Sequence, residues 1–268
     1  MQEIPGAGRA EKWKELIYRP IEANFYLLKD SEITPEALQN IQVDIERSVF
    51  KERRFLGSSL EREAREYNPV LRKQELKDVL VAFAQHNRVI EYCQGLSCYA
   101  AFLLQFYSPE ESFSILARTI QVNGIERLFD KNLSLISKVL SVHARVLNLT
   151  LPESVRKSIQ QISNNSHDYA AGWYLTLFSR LPPPIYAEIL DHFFIHGFPV
   201  LFHAASAVVE IGHHAYITNK HIEPDQKTQI LFKLAECPVP EGIFKATIKR
   251  NMQMVSISTI QHMLQEEQ

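Results

Sequence analysis

Apolar residues recur along this 268-residue chain at helical rather than alternating spacing. Leu76, Val79, Leu80 and Phe83 follow i, i+3, i+4, i+7, which predicts a helix with one buried face. Leu38, Ile41, Ile45 and Val49 predict a second such helix, with Asp44, Arg47, Ser48 and Lys51 assigned to its opposite side. A very apolar run, residues 96–104, reads as a buried helix. Helix starts are well marked. Ser108-Pro109-Glu110-Glu111 has an N-cap, an N1 proline and a capping-box glutamate. Thr34-Pro35 and Asn68-Pro69 repeat the cap-then-proline order, and Thr150-Leu-Pro-Glu153 keeps a cap and a later glutamate. Breaks fall at residues 163–167 and 181–184. No run alternates long enough to predict a strand. The pattern predicts an all-α protein of about a dozen helices on short loops, without a repeat of fixed period. A weak boundary near Asn148 to Pro152 divides it into an N-terminal lobe, about 1–150, and a C-terminal lobe, about 151–268.

Composition narrows the class. Apolar residues make up 46% and charged residues 22%, which suits a folded globular chain and argues against disorder. A formal charge of −2 provides no global field for nucleic acid or an anionic membrane. Cys93, Cys98 and Cys237 have no paired or Cys-x-x-Cys spacing, so reduced thiols are expected. The start, Met1-Gln-Glu-Ile-Pro5, lacks a signal-peptide layout, and the end, Leu-Gln-Glu-Glu-Gln, lacks a prenylation cysteine. The longest apolar region, residues 193–212, is interrupted by His196, Gly197, Pro199 and His203. It is too broken to predict a membrane span. A cytoplasmic location, with membrane contact only through a partner, is expected. No Gly-x-x-x-x-Gly-Lys loop is present, so the chain is not expected to bind a nucleotide itself.

Two short phrases carry candidate chemistry. In Ile41-Gln-Val-Asp44-Ile-Glu-Arg47 a carboxylate precedes a guanidinium by three residues, close enough on a helix for an ion pair. Such a pair is also an ordinary feature of a solvated face. In Tyr92-Cys-Gln94-Gly95, Gly95 lets the backbone turn just before the apolar run. Gln94 at that entrance can both donate and accept hydrogen bonds, or simply be a polar loop residue. His192 and His196 sit at i, i+4, a half-complete metal motif without the glutamate of His-Glu-x-x-His or a third ligand at suggestive spacing. Cys93 reads as a small packing residue rather than a nucleophile. The runs 51–54 and 61–66 read as mixed-charge solvated faces, the first lying one turn past Arg47.

Taken in order, these phrases and their flanks resemble the TBC domain, the Rab GTPase-activating fold. Ile4-Pro5 and then Arg9-x-x-x-Trp13 resemble the family's opening. Ile41-x-x-Asp44-x-x-Arg47 resembles its arginine-finger motif, and Tyr92-x-Gln94-Gly95, after residues 79–87, its glutamine-finger region. Residues 173–178, the prolines at 182–184, residues 189–197 and Leu201-Phe202 resemble its second-lobe signature. The resemblance implies a two-lobed all-α domain over nearly the whole chain. It further implies a Rab-family small GTPase as partner, with GTP and Mg²⁺ carried by that partner and no cofactor here. Arg47 and Gln94 would be catalytic in trans. Asp44, Tyr92 and Gly95 would support them, Asp44 by orienting Arg47, and Arg9 and Trp13 would serve the scaffold. Four departures accompany the resemblance. Glu91 stands where the family usually has glycine, and Ser48 replaces a threonine. Leu190 replaces a common tryptophan, and Lys51-Glu-Arg-Arg54 lacks the usual proline. Glu91 and the missing proline motivate an alternative, a catalytically silent adaptor. A metal hydrolase built on His192 and His196 is a further alternative.

Overall fold

The computed structural model describes residues 8–48, 56, 58–66, 68–163, 165–218 and 222–266. Ile4, Pro5, Val49, residues 51–54 and His221 lie outside them, and so does the missing-proline segment. Among the described residues there are α-helices, a π-helical and a 3₁₀ turn, and no strand. The chain groups into two units. The first runs to Ser134 and also takes in Leu175–Ser179; the second contains Leu135–Tyr174 and the chain from Arg180 onward.

The first unit holds α1 (Arg9–Ile17), α2 (Phe25–Leu28), α3 (Pro35–Arg47), α4 (Ser58–Glu61), α5 (Pro69–His86), α6 (Leu96–Leu103), α7 (Pro109–Asn123) and α8 (Glu126–Phe129). Its centre is α5, which packs against α2, α3, α6 and α7. Leu76, Val79, Leu80 and Phe83 are all fully buried, as their spacing predicted. The caps are those read from sequence. The Thr34 hydroxyl accepts from the Ala37 amide at 3.3 Å, Asn68 Oδ1 accepts from Leu71 at 3.1 Å, and Ser108 and Glu111 form the capping box. Each satisfies amide donors that the first helical turn leaves unpaired.

The scaffold pair of the sequence motif lies on α1. Trp13 is fully buried, with ring centroids 6.3 Å from Phe102 and 6.1 Å from Phe106. Arg9 is buried at the same helix start. There the Glu63 carboxylate accepts from the backbone amides of Gly8, Arg9 and Ala10, an acidic group at a helix N-terminus. The Tyr107 hydroxyl donates to the Ala10 carbonyl at 2.6 Å, so α1 is fixed to the α6–α7 region by polar as well as apolar contacts.

The second unit holds α9 (Ile136–Thr150), α10 (Glu153–Ile162), α11 (His167–Leu175, whose last residue groups with the first unit), α12 (Pro183–His196), α13 (Val200–Gly212), α14 (Pro224–Phe232), α15 (Glu241–Met254) and α16 (Ile257–Glu266). Every residue of α13 is buried, and it packs against α9, α12 and α15. The division therefore falls at Ser134, ahead of α9, rather than near Asn148 to Pro152. The proline there marks only the turn between α9 and α10, and the apolar face of α9 belongs to the core around α13. Thr150 is likewise not a cap. It ends α9, and its hydroxyl bonds the Val146 carbonyl and Ser206 Oγ, each at 2.7 Å. Among the described residues no helix is long and apolar enough to cross a membrane.

Candidate functional site

Arg47 is the last residue of α3, and the backbone turns extended at Ser48. The Ser48 hydroxyl donates to the Asp44 carbonyl at 2.7 Å, which satisfies an acceptor the helix end leaves open. The Arg47 side chain is exposed. No ion pair joins it to Asp44, contrary to the i, i+3 expectation. Asp44 is only 7% exposed and sits beside Ile41 and Ile45 in the buried face of α3. The reason is angular. Three residues of an α-helix turn about 300°, so Asp44 lies roughly 60° from Ile41, at the edge of the apolar face and not opposite it. Arg47 lies roughly 120° from Ile41 and clears that face.

Asp44 takes a different partner. The Tyr92 hydroxyl donates to Asp44 Oδ2 at 2.5 Å. Burial first, and then the bond to Asp44, hold this hydroxyl protonated far above the ordinary tyrosine range, so it remains a donor. A hydrogen bond to a buried carboxylate is worth about 1.5–3 kcal/mol. Tyr92→Phe is therefore expected to destabilise the protein by about 2 kcal/mol, because it leaves the carboxylate buried without its donor. Chemical denaturation of the two proteins measures this.

The second phrase occupies the non-helical segment between α5 and α6. Gly95 is the N-cap residue of α6, with φ 110°. A Cβ at this position would lie 2.5 Å from the Leu175 carbonyl oxygen and 3.1 Å from its carbon. Glycine is thus required twice over, by a dihedral that side chains avoid and by contact with backbone that cannot swing aside. Gly95→Ala is expected to cost about 2–4 kcal/mol from strain and overpacking together. Gly124→Ala is the control. Gly124 also has positive φ, at 60°, but a Cβ there meets nothing within 4 Å, so only about 1–2 kcal/mol of strain is expected. Thermal unfolding of both variants separates the two contributions.

Between these anchors Gln94 is exposed and Cys93 half-buried. Burial, reinforced by the charges of Asp44 and Asp130, pushes the Cys93 thiol up to about 11. It is therefore protonated at neutral pH and a poor nucleophile. At the start of the segment Glu91 is buried and adopts φ 52°. The position calls for left-handed backbone, which glycine adopts more readily than glutamate. The Glu91 carboxylate does not stand as an uncompensated charge: Lys131 Nζ lies 3.3 Å from its Oε2. The segment is thus fixed at three points, Glu91 by Lys131, Tyr92 by Asp44 and Gly95 by its close packing on the backbone of Leu175.

Sequence reasoning missed Lys131 and Leu175. Asp130-Lys-Asn-Leu-Ser134 is legible as a turn, but nothing local names Glu91 as the partner of its lysine. Leu175 lies far along the chain, in the short segment that groups with the first unit.

The histidine pair has no metal geometry. His192 and His196 stack with centroids 6.3 Å apart, and burial lowers the pKa of both below the usual range. Among the described residues no three His, Cys, Asp or Glu side chains gather as a metal would need. A cavity of about 310 Å³ lies in the second unit among α9, α10 and the start of α11, bordered by Leu140, Leu147, Arg156 and Ile159. None of Asp44, Arg47, Tyr92 or Gln94 lines it.

Residues 9–215 match the Rab-GTPase-TBC domain family. The chain is 28% identical over 145 residues to "Rab GTPase-activating protein tbc-11" of Caenorhabditis elegans, covering 52% of this chain and 15% of that protein. It is 27% identical over 223 residues to "TBC domain-containing protein C4G8.04" of Schizosaccharomyces pombe, covering 77% of this chain and 26% of that one. The chain therefore spans about a quarter or less of the length of these curated relatives. The TBC domain of Skywalker/TBC1D24 from Drosophila melanogaster superposes with a TM-score of 0.59 at 14% identity, over 96% of this chain and 84% of that one, a likeness of fold. With a family match over most of its length and a fold of the same kind, the chain belongs to the Rab-GTPase-TBC domain family.

Proposed function

We propose that this chain accelerates GTP hydrolysis on a Rab-type small GTPase by supplying Arg47 and Gln94 in trans. One observation carries the reading. The Tyr92–Asp44 hydrogen bond joins the two phrases and leaves both Arg47 and Gln94 exposed beyond it. A surface ion pair and an unrelated loop amide would have no reason to share such a bond. A relative named as a Rab GTPase-activating protein supports the same class.

Phosphoryl transfer spreads charge over the γ-phosphate oxygens and needs an in-line water. Arg47 has a permanently charged planar fork that matches phosphate oxygens. It stabilises the developing charge. Gln94 has a carbonyl that accepts from the attacking water and an amide that donates to the phosphate. Asp44 and Tyr92 act through position. They fix the end of α3 relative to the finger segment before the GTPase arrives, which lowers the ordering cost of assembling the transition state. GTP and Mg²⁺ arrive with the GTPase, and this chain contributes no nucleotide site.

Phosphate release from a panel of GTP-loaded Rab proteins tests the proposal. Acceleration of at least one member by catalytic amounts of the chain supports it. Binding without acceleration across the panel would assign the chain to the adaptor class instead.

A further inference from the structure

We propose that Lys131 is a positioning residue for Gln94, acting through Glu91. The inference rests on the reading of Gln94 as the water-orienting group and adds to it the Glu91–Lys131 ion pair.

Glu91 combines two costs. Its backbone is left-handed at φ 52°, where a side chain is disfavoured, and its carboxylate is nearly out of water, 10% exposed. Either cost is relieved if residue 91 turns back to ordinary dihedrals and swings its carboxylate outward. Glu91 directly precedes Tyr92, so that rotation redirects the chain into Cys93 and Gln94. Something must therefore hold Glu91 in place, and Lys131, at 3.3 Å, is its ion-pair partner among the described residues.

Lys131 is itself mounted firmly. Asp130 Oδ1 accepts from the amides of Asn132 at 3.1 Å and Ser134 at 2.9 Å, and Oδ2 accepts from the Ser134 hydroxyl at 2.5 Å. Arg127 Nε donates to that same hydroxyl at 3.2 Å. These bonds, led by those from Ser134, hold the Asp130 carboxyl below its usual range, so the turn stays closed at neutral pH. The lysine head is mostly exposed, and an ion pair of two exposed groups would contribute little. Here one partner is buried, and removing the lysine leaves a buried, uncompensated carboxylate on strained backbone. A glycine at this position needs no such clamp.

The test is a double-mutant cycle with two readouts. Lys131→Met is expected to lower stimulated hydrolysis about tenfold to hundredfold, the cost of misplacing a catalytic group by an ångström or less. The affinity for the GTPase should stay near wild type, and the unfolding temperature should fall only by the small amount that remains once Glu91 turns outward to water. Lys131→Arg, which keeps the charge, is expected to retain activity. In a Glu91→Gly background Lys131→Met is expected to change nothing further. Amide exchange of the isolated protein, read at residues 91–95, should quicken in Lys131→Met and not in Lys131→Arg. No change in exchange or hydrolysis on Lys131→Met overturns the proposal, and so does an equal loss in the wild-type and Glu91→Gly backgrounds. A wild-type chain that stimulates no GTPase would defeat the GTPase reading alone, because the exchange readout still decides the role of Lys131.

Discussion

Replacing Arg47 by alanine is expected to reduce stimulated GTP hydrolysis by about 10³–10⁵-fold, or roughly 4–7 kcal/mol of barrier, while the protein remains folded. Both halves of this expectation have a structural basis. The guanidinium is exposed at the last position of α3, and its removal opens no cavity and breaks no ion pair with Asp44. Substitutions at such positions usually change stability by less than about 0.5 kcal/mol. Arg47→Lys should fail almost as badly, since an ammonium keeps the charge but loses the planar fork that spans two phosphate oxygens. Single-turnover phosphate release, paired with thermal unfolding, separates a catalytic loss from a folding defect. An Arg47→Ala protein that stimulates as well as wild type would remove Arg47 from the mechanism.

Replacing Gln94 by alanine is the second large effect expected, about 10²–10³-fold, the usual consequence of deleting one preorganised hydrogen-bonding group. The measurement needs a GTPase whose own glutamine has been substituted, so that only Gln94 is left to orient the water. Wild-type chain should still stimulate that GTPase, and Gln94→Ala should not. Gln94 is exposed, so its loss, like that of Arg47, should leave unfolding unchanged. Tyr92→Phe and Gly95→Ala act differently. They are expected to lower stability and activity together, because they move the mount rather than the group it carries.

Those contrasts show what the sequence made legible. Helix starts were readable because caps are local: Thr34, Asn68 and Ser108 each satisfy amides within three residues of themselves. The buried face of α5 was readable because its apolar spacing matches 3.6 residues per turn. The exposure of Arg47 was readable for the same reason. Asp44 was misplaced because polarity alone put it with Arg47, and no local signal announced a tyrosine hydroxyl 48 residues away to satisfy it in the core. The lobe boundary was misplaced for a related reason. A proline marks where a helix stops, whereas a unit boundary depends on which core the helix packs against, and α9 packs against α13. Glu91 stood out in sequence only as a residue in a glycine's place. Its left-handed backbone and its clamp to Lys131 depend on the folded chain. The two phrases were therefore legible as motifs, and the contacts that hold them, Tyr92 to Asp44 and Glu91 to Lys131, were not.

Arg47 and Gln94 are expected to act together on one nucleotide. Single-turnover hydrolysis by a glutamine-substituted Rab, with wild type, Arg47→Ala, Gln94→Ala and the double variant, tests it most directly. Groups that stabilise one transition state as a unit give strongly non-additive losses. The expected result is rapid hydrolysis with wild type, a large fall in each single variant, and a loss in the double variant far smaller than the product of the two single losses. Wild-type hydrolysis no faster than that with the double variant, or either single variant retaining the wild-type rate, would contradict it.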